Sequence, residues 1–159
     1  MFGVLRLRLV LIVLIVLILS GALAAIATAN MVPVSGLGYQ TRAVTPNDLK
    51  PPECAGINIT NIVVGSGVIN GVGGNDLILG SSIADMVNAR NGSDCVLGGG
   101  GNDFIQGRNG ADVINGGPGD DWIEGGPGND YIIGGPGYDI CYGDGGTDIF
   151  DSSCEEQYQ

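Results

Sequence analysis

Nine aspartates, Asp76, Asp85, Asp94, Asp103, Asp112, Asp121, Asp130, Asp139 and Asp148, follow one another at intervals of nine residues without a break. Each closes a glycine-rich stretch. A carboxylate supplies a hard, anionic oxygen. Glycine permits positive φ and close backbone approach, so main-chain carbonyls can turn toward a shared point. Carboxylate and carbonyl oxygens together suit calcium, which takes about six to eight oxygen ligands and tolerates irregular geometry. The chain contains no histidine. That removes the commonest general base and the commonest transition-metal ligand at once. Its 17 acidic residues stand against 6 lysines and arginines, a net charge of −11. Such a chain repels nucleic acid and attracts cations.

The aspartates belong to a longer unit. Gly98-Gly99-Gly100-Gly101-Asn102-Asp103-Phe104-Ile105-Gln106 is one example. Gly116-Gly117-Pro118-Gly119-Asp120-Asp121-Trp122-Ile123-Glu124 and Gly125-Gly126-Pro127-Gly128-Asn129-Asp130-Tyr131-Ile132-Ile133 are two more. The pattern is G-G-x-G-x-D-x-U-x, with U a large apolar residue. Nine units in register occupy residues 71–151. In this the chain resembles the RTX, or haemolysin-type, calcium-binding nonapeptide repeat family.

That resemblance implies an all-β fold, a right-handed parallel β-roll (a β-helix solenoid), with Ca2+ held between turn loops. Two repeats make one coil of such a roll. Aspartates 18 residues apart then stack about one strand spacing, roughly 4.8 Å, apart and share an ion. One edge would carry Asp76, Asp94, Asp112, Asp130 and Asp148, the other Asp85, Asp103, Asp121 and Asp139. Five loops leave four gaps and four loops leave three, so seven inter-turn ions is the ceiling. Unscreened carboxylate stacks repel, so folding is expected to depend on calcium. Some loops depart from the pattern. Ile83 stands where the second repeat should have glycine. The third repeat opens Ala89-Arg90-Asn91-Gly92, and the fifth has Arg108 and Asn109. Pro118, Pro127 and Pro136 fall at the variable third position, where a rigid turn is compatible.

The elements that must position these loops are short strands. Position eight reads Ile78, Val87, Val96, Ile105, Ile114, Ile123, Ile132, Cys141 and Phe150, a narrow and mostly β-branched core. Positions seven and nine alternate to the outside. On the odd repeats they are unusually apolar, with Leu77, Leu79, Leu97, Val113, Tyr131 and Ile133. A face of that kind is normally covered. The cover is expected from residues 31–70, tied down by a Cys54–Cys95 disulfide. Cys141 and Cys154 would then staple the last coil to the tail. The rival expectation is a docking surface for a partner or for self-association.

Four cysteines allow three connectivities, and an even count in an exported chain favours disulfides. Export is read from the N-terminus. Arg6 and Arg8 precede an apolar run over residues 9–19, and Ala27-Thr28-Ala29 has the small-x-small form of a cleavage site. Residues 1–29 are expected to be a signal peptide, or an uncleaved membrane anchor, with the rest extracellular or on the cell surface. Residues 30–56, rich in proline, read as an extended linker and cover segment. The roll is expected over 57–151, with strands at 57–60 and 62–64, and a tail over 152–159.

No catalytic constellation is visible. Neither a His-Glu-x-x-His helix nor a Gly-x-Ser-x-Gly elbow occurs; Val64-Gly65-Ser66-Gly67 lacks the first glycine. Glu155-Glu156 falls in the tail and reads as solvated. Asn58-Ile59-Thr60 and Asn91-Gly92-Ser93 match a glycosylation pattern that is common by chance. The expectation is a non-enzymatic calcium-binding module. The alternative is a calcium-dependent adhesion or surface-assembly protein that uses the apolar outer face.

Overall fold

A computed structural model of the chain describes residues 31–33, 39–41 and 43–159. The segment read as a signal peptide or anchor, residues 1–29, lies outside the described residues. Among the described residues, no helix is long and apolar enough to cross a membrane.

The chain divides into two compact units, residues 1–45 and 46–159. In the first, β1 (Met31–Pro33) and β2 (Tyr39–Thr41) pair antiparallel, with Met31 opposite Thr41. The second opens with a single helical turn, α1 (Pro46–Leu49), and a 3-10 turn at Pro52–Cys54. Twelve short strands follow and wind into a β-solenoid of about five turns.

The nine-residue unit explains that winding. Its glycine-rich half turns the chain, and its last three residues form a strand. One sheet takes β3 (Asn61–Val64), β5 (Asp76–Leu79), β7 (Cys95–Leu97), β9 (Val113–Asn115), β11 (Tyr131–Ile133) and β13 (Ile149–Phe150). The other takes β4 (Val68–Asn70), β6 (Met86–Asn88), β8 (Phe104–Gln106), β10 (Trp122–Pro127), β12 (Ile140–Gly145) and β14 (Glu156–Tyr158). All pairings within both sheets are parallel. Residues 18 apart are partners, as in Leu77, Cys95 and Val113. The two ends break this step: Asn61 pairs with Asp76, and Ile140 with Glu156. The first coil is therefore shorter by three residues and the last by two.

In a three-residue strand the middle side chain points one way and its neighbours the other. The middle residues meet between the sheets, as the sequence predicts. Ile78, Val87, Val96, Ile105, Ile114, Ile123, Ile132 and Cys141 are fully buried, and Phe150 is half-buried against them. Ile69 and Cys154 extend this column at its two ends. Truncating one such isoleucine to alanine costs about 2–5 kcal/mol.

The outer apolar face is partly covered. Cys54, Ile57 and Ile59 pack with Leu77 and Cys95 in a second buried cluster, against which Leu79 and Val113 lie half-buried. Cys54 and Cys95 form a disulfide, and Cys141 and Cys154 form the other. This corrects the docking-surface expectation at its centre. Leu77 is 1% exposed, so it belongs to an internal cluster. Leu97, Tyr131 and Ile133 are half-buried. The same cluster explains why residues 57–60 form no strand. Ile57 and Ile59 are buried in it with Leu77 and Cys95, and Asn47 holds the Ile59 backbone from both sides.

The tail also differs from a solvated end. Residues 156–158 add a strand to the even sheet, and Trp122, Tyr142 and Tyr158 stack in a column along its outer side, with centroids 5.0 and 4.6 Å apart. Stacked aromatic neighbours add roughly 0.5–1.5 kcal/mol beyond their buried area.

Candidate metal-binding loops

All nine aspartates are buried along the two edges of the solenoid, as the eighteen-residue stacking implies. Seven of them, all but Asp76 and Asp85, are held by the rung before them. The backbone N–H of Asp76 donates to Oδ1 of Asp94 at 2.7 Å, and Asp94 repeats this toward Asp112, Asp112 toward Asp130 and Asp130 toward Asp148. On the other edge the same bond joins Asp85 to Asp103, Asp103 to Asp121 and Asp121 to Asp139.

One oxygen of each carboxylate is thereby used. The fate of the second divides the ladder. Oδ2 of Asp94, Asp103, Asp112, Asp121, Asp130, Asp139 and Asp148 is buried with no hydrogen-bond partner. Such an atom is costly, about 1–3 kcal/mol and more when charged. Asp76 and Asp85 are different. Val72 N–H donates to Asp76 Oδ2, and Asn61 Nδ2 to its Oδ1. Asp85 Oδ2 accepts the Ser81 N–H and hydroxyl, and its Oδ1 accepts the Gly67 N–H. On these two side chains both carboxylate oxygens already have donors within the protein.

The environment acts on protonation accordingly. Burial, reinforced by the Asp94 and Asp130 carboxylates, pushes Asp112 up to about 7. Burial is also the main cause for Asp94, Asp121 and Asp130, each pushed up to about 6, and neighbouring rungs add repulsion. Asp103 and Asp139 move the same way. For Asp85 burial pushes upward, but the hydrogen bonds from Ser81 and Gly67 outweigh it, and the carboxyl sits below its ordinary value.

What stands next to the spare oxygens decides what they can bind. A side chain at Gly107 would place its Cβ 2.6 Å from Asp112 Oδ2 and 2.6 Å from the Gly125 carbonyl oxygen of the next coil. The same pair of oxygens, own aspartate and next-coil carbonyl, converges beside Gly98 (Asp103, Gly116), Gly116 (Asp121, Gly134) and Gly125 (Asp130, Gly143). Only glycine avoids these clashes, which is why position one is glycine in these loops. The two oxygens therefore lie close together beside the glycine backbone, and both are of the hard kind that calcium takes. The donor set is hard oxygen alone, without nitrogen or sulfur. Among the described residues no three acidic, cysteine or histidine side chains gather in one cluster, so carbonyls must carry much of the coordination.

Two loops depart from this. Beside Gly71 and Gly80 the next-coil carbonyl is present, but Oδ2 is already hydrogen-bonded and lies 2.9 and 3.0 Å away. In the loop of Asp94, position one is Ala89, fully buried with its methyl in the core cluster. The tail carboxylates, of which Glu155 is exposed as expected, also make hydrogen bonds. Glu155 Oε2 accepts the Asp139 N–H, and Glu156 accepts the hydroxyls of Tyr138 and Tyr158. Sequence spacing could not find Glu155, because it falls 16 residues after Asp139.

A parallel β-solenoid edged by stacked, oxygen-lined turns is the class of protein that this fold and these loops define. The chain belongs to the RTX calcium-binding nonapeptide repeat family, whose model matches in four overlapping copies at residues 70–105, 89–123, 106–141 and 115–150. Repeats of this family bind calcium, and their β-roll domains are generally non-catalytic structural modules. Comparison with curated proteins and with solved structures returned no match.

Proposed function

We propose that this protein is an exported, non-catalytic calcium-binding module whose roll closes as calcium enters between its coils. The observation that carries the reading is the convergence of an unpartnered carboxylate oxygen and a next-coil carbonyl in four successive gaps, those above Asp103, Asp112, Asp121 and Asp130. A divalent cation there would satisfy the spare oxygens and cancel the repulsion between rungs, so binding energy becomes folding energy. Asp76 and Asp85 serve as the metal-free base of the ladder, because amide and hydroxyl donors already complete them. Export fits the family, whose members are typically secreted, and the two disulfides suit an oxidising compartment.

The test is a calorimetric calcium titration of the chain from residue 30 onward, followed in parallel by far-UV circular dichroism. Several bound ions and a gain of β-structure are expected. A chain fully ordered in excess chelator, with no ion found by elemental analysis, overturns the reading.

A further inference from the structure

The even ladder does not end at its last aspartate. The backbone N–H of Asp139 donates to Glu155 Oε2 at 2.8 Å, the bond that Asp121 makes to Asp139 one coil earlier at 2.9 Å. The last coil is two residues shorter than the others, so glutamate arrives 16 residues on, and its extra methylene brings a carboxylate to the rung. The turn around it copies a repeat loop with side chains. Gly135 N–H donates to the Ser153 hydroxyl, where Gly117 N–H one coil below donates to the Gly134 carbonyl. The Asp139 carbonyl accepts the N–H groups of Glu155 and Glu156, and the buried Cys141–Cys154 disulfide pins the turn to the coil.

Asp139, the residue whose N–H Glu155 holds, has an oxygen to spare. It is fully buried, and its Oδ2 has no hydrogen-bond partner. A Cβ on Gly134 would lie 2.5 Å from that oxygen, as one on Gly107 would lie 2.6 Å from Asp112 Oδ2, but at Gly134 no next-coil carbonyl stands as near. In the lower loops this disposition puts Oδ2 beside the following coil, and here the following segment is the turn of residues 151–155. The odd ladder ends otherwise, with the neutral amide of Gln159 donating to the Asp148 carbonyl.

We propose that Glu155 and Asp139 form one further calcium site beneath the C-terminal turn, beyond the gaps between regular repeats. It rests on the calcium reading above. Its ligands are oxygens only: the spare oxygen of Asp139, the Glu155 carboxylate, and carbonyl or water oxygens to complete the shell. The ion would bind the tail strand to the roll, so this site locks the end of the solenoid.

A purely structural role for Glu155 is to accept the Asp139 N–H, and glutamine does that equally well. Glu155→Gln therefore separates the two roles. Calcium bound to the full chain is counted by native mass spectrometry and titration calorimetry, with Asp121→Asn as the control that a single lost site is resolved. Glu155→Gln is expected to bind one ion fewer than the wild type while melting at the same temperature in chelator. An unchanged count in a chain that binds calcium overturns this site alone, as does a lowered melting temperature of Glu155→Gln in chelator with no ion lost. A wild type that binds no calcium overturns the calcium reading and this site with it.

Discussion

The backbone N–H of Asp112 donates to Oδ1 of Asp130 at 2.8 Å, while Oδ2 of each of these residues remains buried and unpartnered. The carboxylate is half structural and half available. Replacing it by an amide separates the halves. In Asp112→Asn the side-chain oxygen still accepts the Asp94 N–H. The new NH2 stands beside the Gly125 carbonyl and can donate to it. Without calcium the variant is expected to be more stable than the wild type by about 1–3 kcal/mol, because a buried anionic orphan is gone. With saturating calcium the order reverses, since one ion is lost. Thermal melts in chelator and in calcium check both signs, and a variant less stable in both conditions would sink the argument.

Protons should partly replace calcium. An aspartate in an unfolded chain titrates near 3.9. Asp94, Asp121 and Asp130 titrate at about 6 in the fold, and Asp112 at about 7. The folded state thus holds more protons than the unfolded state between these values, so stability falls as pH rises through them. Their contribution is complete below the unfolded value and is lost by neutral to slightly alkaline pH. Asp85 runs the other way: its carboxyl lies below the ordinary value, so its contribution is lost as the solution becomes strongly acidic. The metal-free roll is expected to be best ordered near pH 4 and to lose order progressively from there to about pH 7. Circular dichroism in chelator across that range checks it. Order that increases over that range would contradict the assignment of these groups.

Ala89 makes a third case. It occupies position one in the loop of Asp94, where four other loops keep glycine and an oxygen-lined space. Its methyl packs in the core cluster, and the side chain at this position is expected to leave the gap between Asp94 and Asp112 without an ion. Ala89→Gly should add one calcium to the count of the full chain. It should also cost roughly 0.5–1 kcal/mol in chelator, from backbone entropy. Native mass spectrometry reads the count. An unchanged number of ions would show that the methyl does not govern this gap.

Much of the molecule was legible in its residues. The interval between aspartates sets the nine-residue unit, and the resemblance to the RTX repeats implies that two units make one coil, in steps of 18. The alternation within each strand sends Ile105 or Ile132 inward and their neighbours outward. These are local rules, and they hold wherever the repeat holds. The pairing of Cys54 with Cys95 followed from Cys95 lying on a face too apolar to leave bare.

The tertiary structure decided what depends on neighbours far apart in the chain. Asp76 and Asp112 are the same residue at the same repeat position. Only the placing of Val72 N–H and Asn61 Nδ2 around the first separates a carboxylate with donors on both oxygens from one still short of a partner. Leu77 became core because Ile57 and Ile59 fold over it. Glu155 reached the ladder because the last coil is short, and a length change of two residues is invisible to a search for a fixed period. A repeat fixes which groups line an edge. Which of their oxygens are left over is settled by hydrogen-bond donors that only the closed coil brings within reach.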